Sequence, residues 1–306
     1  MLKNEKILIT GITSATAKAL AGPLAGGNEV WGLARFSKPG QREAVEAMGI
    51  KAVPLDLGNP DLSALPEDFT YVLHLAYFRS PKPDFEEAFR INGDGTGFIF
   101  RHCRKAKAAL CMSSSVIYSA DEDPWHVSHE DGLIGWNRPG YSATSAVSKM
   151  AEEAIARYCA RAYELPMIVT RLNAPYGPTE GFLPTGNMDA VVAGKEVFAR
   201  WDPEPYTPIH TEDMAEQLEA LLDAASFPAN CVNWAGDEYV TVQQMAAYAS
   251  EWSGKEAKVT ARPVPGSHRG SCSDSSKRRS ITGPCRYTFK EGYRKVYEAR
   301  HGAPVS

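Results

Sequence analysis

Between Pro139 and Glu153 the chain reads PGYSATSAVSKMAEE, which crowds Tyr141, Ser142, Thr144, Ser145, Ser148 and Lys149 into about two helical turns. A tyrosine close to a lysine is one way to set an acid or base near neutral pH. The turn-forming Pro139-Gly140 precedes a run with few breakers, and Val147, Met150, Ala151 and Ala154 recur at helical spacing. The stretch is therefore expected to open a helix with one apolar face. Spacing decides which groups can cooperate. At about 100° and 1.5 Å per residue, positions eight apart, such as Tyr141 and Lys149, stand about 12 Å and 80° apart. Ser145 is four from each and neighbours both. The plain alternative is a polar helix start with no chemistry.

Such groups need a scaffold, and the first half of the chain supplies a regular one. Short apolar runs at 6–10, 29–33, 51–54, 71–75, 109–113 and 166–171 alternate with helical patterns at 16–24, 42–48, 84–107 and 141–163. This alternation implies parallel βαβ units with right-handed crossovers, hence an α/β, doubly wound parallel sheet of Rossmann type with ligands at the carboxyl ends of its strands. A smaller C-terminal substrate-binding region is expected beside it. The dinucleotide-binding domain is placed at 1–178 plus about 207–236, and the substrate region at about 179–206 and 237–306. Helices are expected at 212–224, 242–253 and 290–300, a strand at 231–234, and a loop over 262–284, which is rich in Gly, Ser, Pro and Arg.

Gly11 follows the first strand and opens the first helix, where a pyrophosphate meets backbone N–H groups and the helix dipole. The glycine series across Gly11, Ser14 and Ala17 keeps only its first glycine, yet Ser and Ala are small and the Ser14 hydroxyl suits a phosphate. Gly11, Thr13, Ser14, Ala15 and Thr16 are the candidate phosphate turn; the plain alternative is a tight strand–helix turn. No acidic residue follows the second strand to accept a ribose 2′-hydroxyl. Arg35 and Lys38 stand there instead, which suits a 2′-phosphate and points to NADP in preference to NAD.

From this point the chain resembles the extended short-chain dehydrogenase/reductase family, of the NAD-dependent epimerase/dehydratase type, over almost its whole length. Asp56-Leu57 resembles the adenine-contacting pair, and His74-Leu75-Ala76 resembles the fourth-strand HLAA, with Tyr77 in place of the last alanine. Asn92 to Thr96 resembles NxxGT, Ser113 to Tyr118 resembles SSxxVY, Arg171 to Pro178 resembles RPFNVYGP, and Pro208 to Asp213 resembles FIHVDD. The resemblance implies Ser114 as the catalytic serine and Leu75, Ala76 and Asn92 as cofactor contacts. It implies Lys149 as the lysine on the nicotinamide ribose, and Ser115, Ser145, Asn173 and Tyr176 on the substrate side. The lysine is in register: Glu153, Tyr163, Pro166 and Arg171 follow it at the family's spacings of four, fourteen, seventeen and twenty-two. The family's tyrosine belongs four before it, where this chain has Ser145. A serine hydroxyl is a far weaker acid than a phenol. Tyr141 is therefore the candidate displaced acid; the alternatives are Ser114, Ser115, Tyr176 or a substrate group, or a nucleotide-binding protein without redox chemistry.

The 306 residues, 43% hydrophobic and 23% charged with a net charge of −4, describe an ordinary globular protein and argue against nucleic acid or an anionic membrane as partner. The six cysteines form no CxxC and read as buried apolar residues of a reducing compartment. With no signal-type or membrane-spanning run, the expected location is cytoplasmic. The loop SADEDPWHVSHED (119–131) could offer carboxylates and imidazoles to a metal, but no metal is expected. Trp125 and Trp136 suit a pocket wall or loop packing, and Lys277-Arg278-Arg279 reads as a solvated basic face. Long helices at 84–107 and 141–163 match those that pair in the family's dimers, so a homodimer is expected. The function expected is an NADP(H)-dependent oxidoreductase moving a hydride to or from a small-molecule carbonyl or alcohol. The alternatives are a nucleotide-sugar epimerase or dehydratase, against which Tyr206 stands where such enzymes often carry arginine, and a catalytically inactive nucleotide-binding regulator.

Overall fold

The computed structural model describes residues 2–79, 82–135, 137 and 142–305. The chain divides into two compact units, one of Met1–Ser114, Ser142–Arg171 and Ala215–Val232, the other of Ser115–Tyr141, Leu172–Met214 and Asn233–Ser306.

The first unit is built on a seven-stranded sheet. Its strands are β1 (Lys6–Thr10), β2 (Glu29–Ala34), β3 (Lys51–Pro54), β4 (Tyr71–His74), β5 (Ala108–Ser114), β6 (Met167–Leu172) and β7 (Asn230–Trp234), the last two running on into the other unit. Their order is β7-β6-β5-β4-β1-β2-β3. The winding thus reverses between β1 and β4, and β1 pairs in parallel with both β2 and β4. The apolar run of β1 has this position as its cause: Ile7, Leu8 and Ile9 have no accessible surface, as expected of a central parallel strand covered on both faces. Helices α1 (Ala15–Ala25) and α2 (Gln41–Glu46) connect the first three strands. Cys103, Cys111, Cys159 and Cys231 lie in the apolar core of this unit, and burial pushes the thiols of Cys103 and Cys159 up to about 12 and about 11.

The long helix expected at 84–107 is composite and shorter. It runs as α3 (Phe85–Phe89), a π-helical turn at Arg90–Asp94 and α4 (Gly95–His102), and it closes when the Cys103 amide bonds back to Ile99. A π turn inserts a residue into the helical ladder and re-aims the side chains around it; here it carries Asn92, which is buried. The helix expected at 141–163 is α5 (Ser145–Ala162). Tyr141 and Trp136 lie outside the described residues. Along α5 the buried face changes character: its first turns bury Ser145, Ser148, Lys149, Glu152 and Glu153, and its last turns bury Ala156, Cys159 and Ala160. Only the second half of that face is an ordinary core stripe, so the first half must find polar partners inside the protein.

The second unit carries α6 (Leu183–Val192), α8 (Val242–Ser253), α9 (Ser276–Thr282) and α10 (Phe289–His301), with α7 (Thr211–Asp223) beginning in it and ending in the first. Its core joins Met188, Val191, Met245 and Trp252 to Tyr176, Phe289 and Tyr293. The expected loop over 262–284 is corrected by two elements, a short strand at Cys272–Ser273 that pairs with Val127–Ser128, and α9. Both are held by distant partners. Arg278, expected on a solvated face, is fully buried on Asp237 and the Gly283 carbonyl. Among the described residues no helix is long and apolar enough to cross a membrane.

Gly95 shows how tightly α4 is set in the first unit. A Cβ there would stand 2.9 Å from both the Cβ and the carbonyl oxygen of Leu57. Gly95→Ala is expected to lower the unfolding free energy by about 1–3 kcal/mol, the usual cost of overpacking, in urea denaturation. Gly26→Ala, whose new methyl group would meet nothing within 4 Å, is expected to leave it near the wild-type value.

Candidate active site

The phosphate turn and the end of β4 are built against each other. Gly11 has φ +68°, and a Cβ on it would lie 2.7 Å from the Cα of Ala76, so only glycine fits. Thr13 lies in the turn, Ser14 caps α1 by accepting the Ala17 amide at 3.2 Å, and Ala15 and Thr16 form the first turn of the helix, which holds no acidic side chain. A backbone that must approach closely and a helix start free of negative charge suit the pyrophosphate of a dinucleotide. Arg35 follows β2 and its guanidinium lies 5.8 Å from the centre of the Phe78 ring. Lys38 is exposed. Asp56, after β3, accepts the Gly58 amide at 3.0 Å, next to Leu57.

A run of buried hydrogen bonds fixes the segment after β4. The amides of Leu75 and Ala76 donate to the Thr10 hydroxyl at 3.1 and 3.0 Å, and Thr10 Oγ1 meets His74 Nδ1 at 2.9 Å. His74 Nε2 meets Thr96 Oγ1 at 2.8 Å, and Thr96 donates to the Asn92 carbonyl. This direction of donors gives His74 its proton on Nε2. The Asn92 amide then clasps Phe78, accepting its N–H at 2.7 Å and donating to its carbonyl at 2.9 Å. Tyr77 is flanked by both anchors.

Lys149 finds its partners in the same unit. Its ammonium donates to the Met112 carbonyl of β5 at 2.7 Å and to Glu152 Oε2 at 2.8 Å, and stands 4.6 Å from the centre of the Tyr77 ring. The Tyr77 hydroxyl donates to Ser145 Oγ at 2.7 Å. Glu152 has no accessible surface; burial raises its carboxyl to about 7 against the opposing pull of Lys149. One helical position on, Glu153 takes a bidentate pair from Arg171 at 2.9 and 3.0 Å. Burial raises this carboxyl, but the Arg171 hydrogen bonds and charge outweigh it and hold the group below the usual range. Ser114 is the last residue of β5.

In the second unit, Ser115 and Asn173 converge on Ser271: the Ser115 and Ser271 hydroxyls are 3.1 Å apart, and Asn173 donates to the Ser271 carbonyl at 2.7 Å. They border an open hollow whose wall carries Ser115, Ser128, Asn137, His268 and Ser271 together with the Asp121 carboxylate and His126. Burial, with Arg200 nearby, holds His268 well below the usual histidine range, so its Nδ1 accepts the Asn137 amide at 2.7 Å. Tyr176 lies elsewhere in this unit, buried among Phe289, Tyr293 and His210. The carboxylates and imidazoles of 119–131 disperse into pairs, Asp121 with His126 at 3.5 Å and His129 with Asp274 at 3.7 Å. Among the described residues no group of three or more such side chains could hold a metal ion.

Sequence reasoning thus missed Tyr77 and Glu152 as members of the Lys149 cluster. The signal for Tyr77 was its departure from the alanine of HLAA; Glu152 gave none.

Burial lowers His74 from 6.5 to about 3, with the Lys149 charge acting in the same direction. The unfolded chain therefore binds this proton below about pH 6.5 and the folded chain does not, so stability falls as pH drops from 6.5 towards 3. Burial also lowers His210, to about 4, which adds to the slope. His74→Gln is expected to flatten the fall of melting temperature between pH 6.5 and about 4, whatever it does to the absolute value. An unchanged slope would contradict the buried neutral imidazole.

Residues 7–228 match the model of the NAD dependent epimerase/dehydratase family. The fold matches solved structures of a UDP-glucuronic acid 4-epimerase from Bacillus cereus in complex with UDP-glucuronic acid and NAD (TM-score 0.80, 20% identity, covering 96% of this chain and 98% of that one). It also matches a UDP-glucose 4-epimerase from Thermus thermophilus in complex with NAD (0.79, 24%, 97% and 100%). A third match is a UDP-N-acetylglucosamine 4-epimerase from Methanobrevibacter ruminantium in complex with UDP-N-acetylmuramic acid (0.80, 20%, 97% and 98%). At these identities the likeness is one of fold. Comparison with curated proteins returns no match. With a family model spanning most of its length and the glycine turn, composite helix and in-register lysine in place, the chain belongs to the NAD dependent epimerase/dehydratase family.

Proposed function

We propose that this chain is a nicotinamide-dinucleotide-dependent enzyme that oxidises a carbinol of a nucleotide sugar and reduces the product again within one turnover, as an epimerase or dehydratase. The observation that carries this is the placement of Lys149, held on the Met112 carbonyl of β5 in the unit whose first strand ends at a glycine that no other residue can replace. Family membership and the UDP-sugars bound by the neighbouring folds support this substrate class better than a generic carbonyl compound.

In this reading the turn from Gly11 through Thr13, Ser14, Ala15 and Thr16 would hold the pyrophosphate, Asp56 and Leu57 the adenine, and Leu75, Ala76 and Asn92 the wall beside the nicotinamide half. The dinucleotide, when bound, supplies hydride acceptance and return. Ser114 orients the substrate oxygen, and Lys149 and Ser145 supply charge and a hydroxyl beside it. Ser115 and Asn173 belong to the substrate side, whereas Tyr176, expected there too, is buried in the aromatic core of the second unit. We assign the dinucleotide to 1–178 plus about 207–236 and the substrate to about 179–206 and 237–306. The hollow of the second unit, whose wall offers serine hydroxyls, the Asn137 amide and the Asp121 carboxylate, supports a polyhydroxylated ligand.

A second reading, net NADP(H)-dependent reduction of a simpler carbonyl compound, is favoured by Tyr206. It is buried and donates to Glu204 at 2.6 Å where nucleotide-sugar enzymes of the resembled type often carry arginine.

Arg35 and Lys38 support NADP, whereas the dinucleotide in the neighbouring folds is NAD. Fluorescence titration with NADPH and NADH is expected to show binding of at least one, and Arg35→Asp is expected to weaken NADPH relative to NADH about tenfold or more, the worth of one charge-assisted contact. Binding of neither contradicts the proposal. Incubation with NAD and UDP-glucose or UDP-glucuronic acid, followed by chromatography of the sugar nucleotides, tests the substrate class. We also propose a homodimer through α4 and α5, whose Phe98 and Tyr158 are exposed at 45% and 63%. Phe98→Glu with Tyr158→Glu is expected to convert the dimer to a monomer in sedimentation velocity, and a monomeric wild type would contradict it.

A further inference from the structure

Two departures from the resembled family meet in space. At 145 a serine stands where the family has tyrosine, and at 77 a tyrosine stands where it has alanine, 68 positions away. The small residue on α5 leaves room, the large one in the segment after β4 fills it, and the phenol ends on the serine hydroxyl at 2.7 Å. Both belong to the first unit.

Three further observations turn this complementarity into a site. Tyr77 is held on both sides, since the Ala76 amide is fixed by Thr10 and both backbone groups of Phe78 by Asn92. A residue so bracketed is pre-organised in the way a catalytic group requires. Of the three donors of Lys149, one goes to Met112 and one to Glu152, and the ammonium stands 4.6 Å from the Tyr77 ring centre. The lysine that the family sets beside its tyrosine is therefore beside this one. Tyr77 is also only partly buried, unlike Ser145.

We propose that Tyr77 is the proton-transfer residue of this enzyme, its phenol delivered from β4 in place of the one missing from α5. The inference rests on the reading that a carbinol is oxidised with a dinucleotide bound. In the forward step the carbinol O–H bond breaks and its proton forms a new O–H bond on the Tyr77 phenolate oxygen. The carbinol C–H bond breaks in the same step and its hydride goes to the oxidised dinucleotide. The alcohol would become a carbonyl, its two electrons being taken up by the dinucleotide when bound, and the return step would reverse both transfers. Lys149 stabilises the phenolate by its charge, and Ser145 holds the phenol oxygen in place.

The test uses the full-length protein with NAD, NADPH and UDP-glucose as probes. Tyr77→Phe keeps the ring and removes only the hydroxyl; it is expected to bind dinucleotide within about threefold of wild type while losing about 100-fold or more of hydride transfer. Moving the phenol back with Tyr77→Ala and Ser145→Tyr together is expected to recover at least about tenfold over Tyr77→Phe. A substrate-independent readout is the ultraviolet tyrosinate band of wild type less that of Tyr77→Phe, which follows this one phenol. In a Lys149→Met background its titration is expected to move to higher pH. Full hydride transfer in Tyr77→Phe, or a tyrosinate titration indifferent to Lys149, overturns the proposal. So does a Tyr77→Ala variant that binds dinucleotide far more tightly than wild type, because the ring would then be an obstacle in the cofactor's place. If wild type binds neither dinucleotide, the functional reading fails by itself, and the tyrosinate titration still decides whether Lys149 tunes Tyr77.

Discussion

The line of buried hydrogen bonds from the amides of Leu75 and Ala76 through Thr10, His74 and Thr96 to Asn92 is the constraint on which the site depends. It ties β1, β4 and the π turn together at the point where the winding of the sheet reverses. Each bond contributes only about 1 kcal/mol net, but a broken one would leave a buried donor or acceptor costing about 1–3 kcal/mol, so the set is specified all at once. Its effect is geometric. Gly11 must be glycine because Ala76 cannot retreat, and Tyr77 has a fixed origin because its neighbours on both sides are pinned.

Helix α5 shows what a functional site does to a core. A buried face that opens with Ser145, Ser148, Lys149, Glu152 and Glu153 breaks the binary pattern, and every ion in it needs a partner. Glu153 is matched by Arg171, and this pair behaves as structure: bidentate and held ionised. Glu152 is different. Its carboxyl, raised by burial against the pull of Lys149, shares its surroundings with that ammonium and the Cys111 thiol, which places an ionisable pair close to the Tyr77 ring. Such perturbed groups concentrate at working sites.

Much of this was legible in the sequence for physical reasons. Strand–helix alternation is local periodicity, and it yields the doubly wound sheet. The register of Lys149 rested on residues such as Glu153 and Arg171 that bind each other, so their spacing carried a real contact. The elements at Cys272–Ser273 and Ser276–Thr282 were not legible, because their Gly- and Ser-rich composition is overridden by partners such as Asp237 for Arg278. The π turn was not legible either, since an inserted residue leaves a helical pattern almost unchanged. Tyr77 and Ser145 were each visible as exceptions, but their meeting is a tertiary contact across 68 positions, which no window of sequence contains.

The central claim is that the missing phenol of α5 has been replaced from β4. It is tested most directly by a crystal structure of the wild-type protein with NAD and UDP-glucose bound. The account predicts the Tyr77 hydroxyl within about 3 Å of the sugar hydroxyl facing the nicotinamide, with Lys149 beside it. A structure in which Tyr77 swings away from that oxygen and Tyr141 or Ser114 alone approaches it would contradict the account.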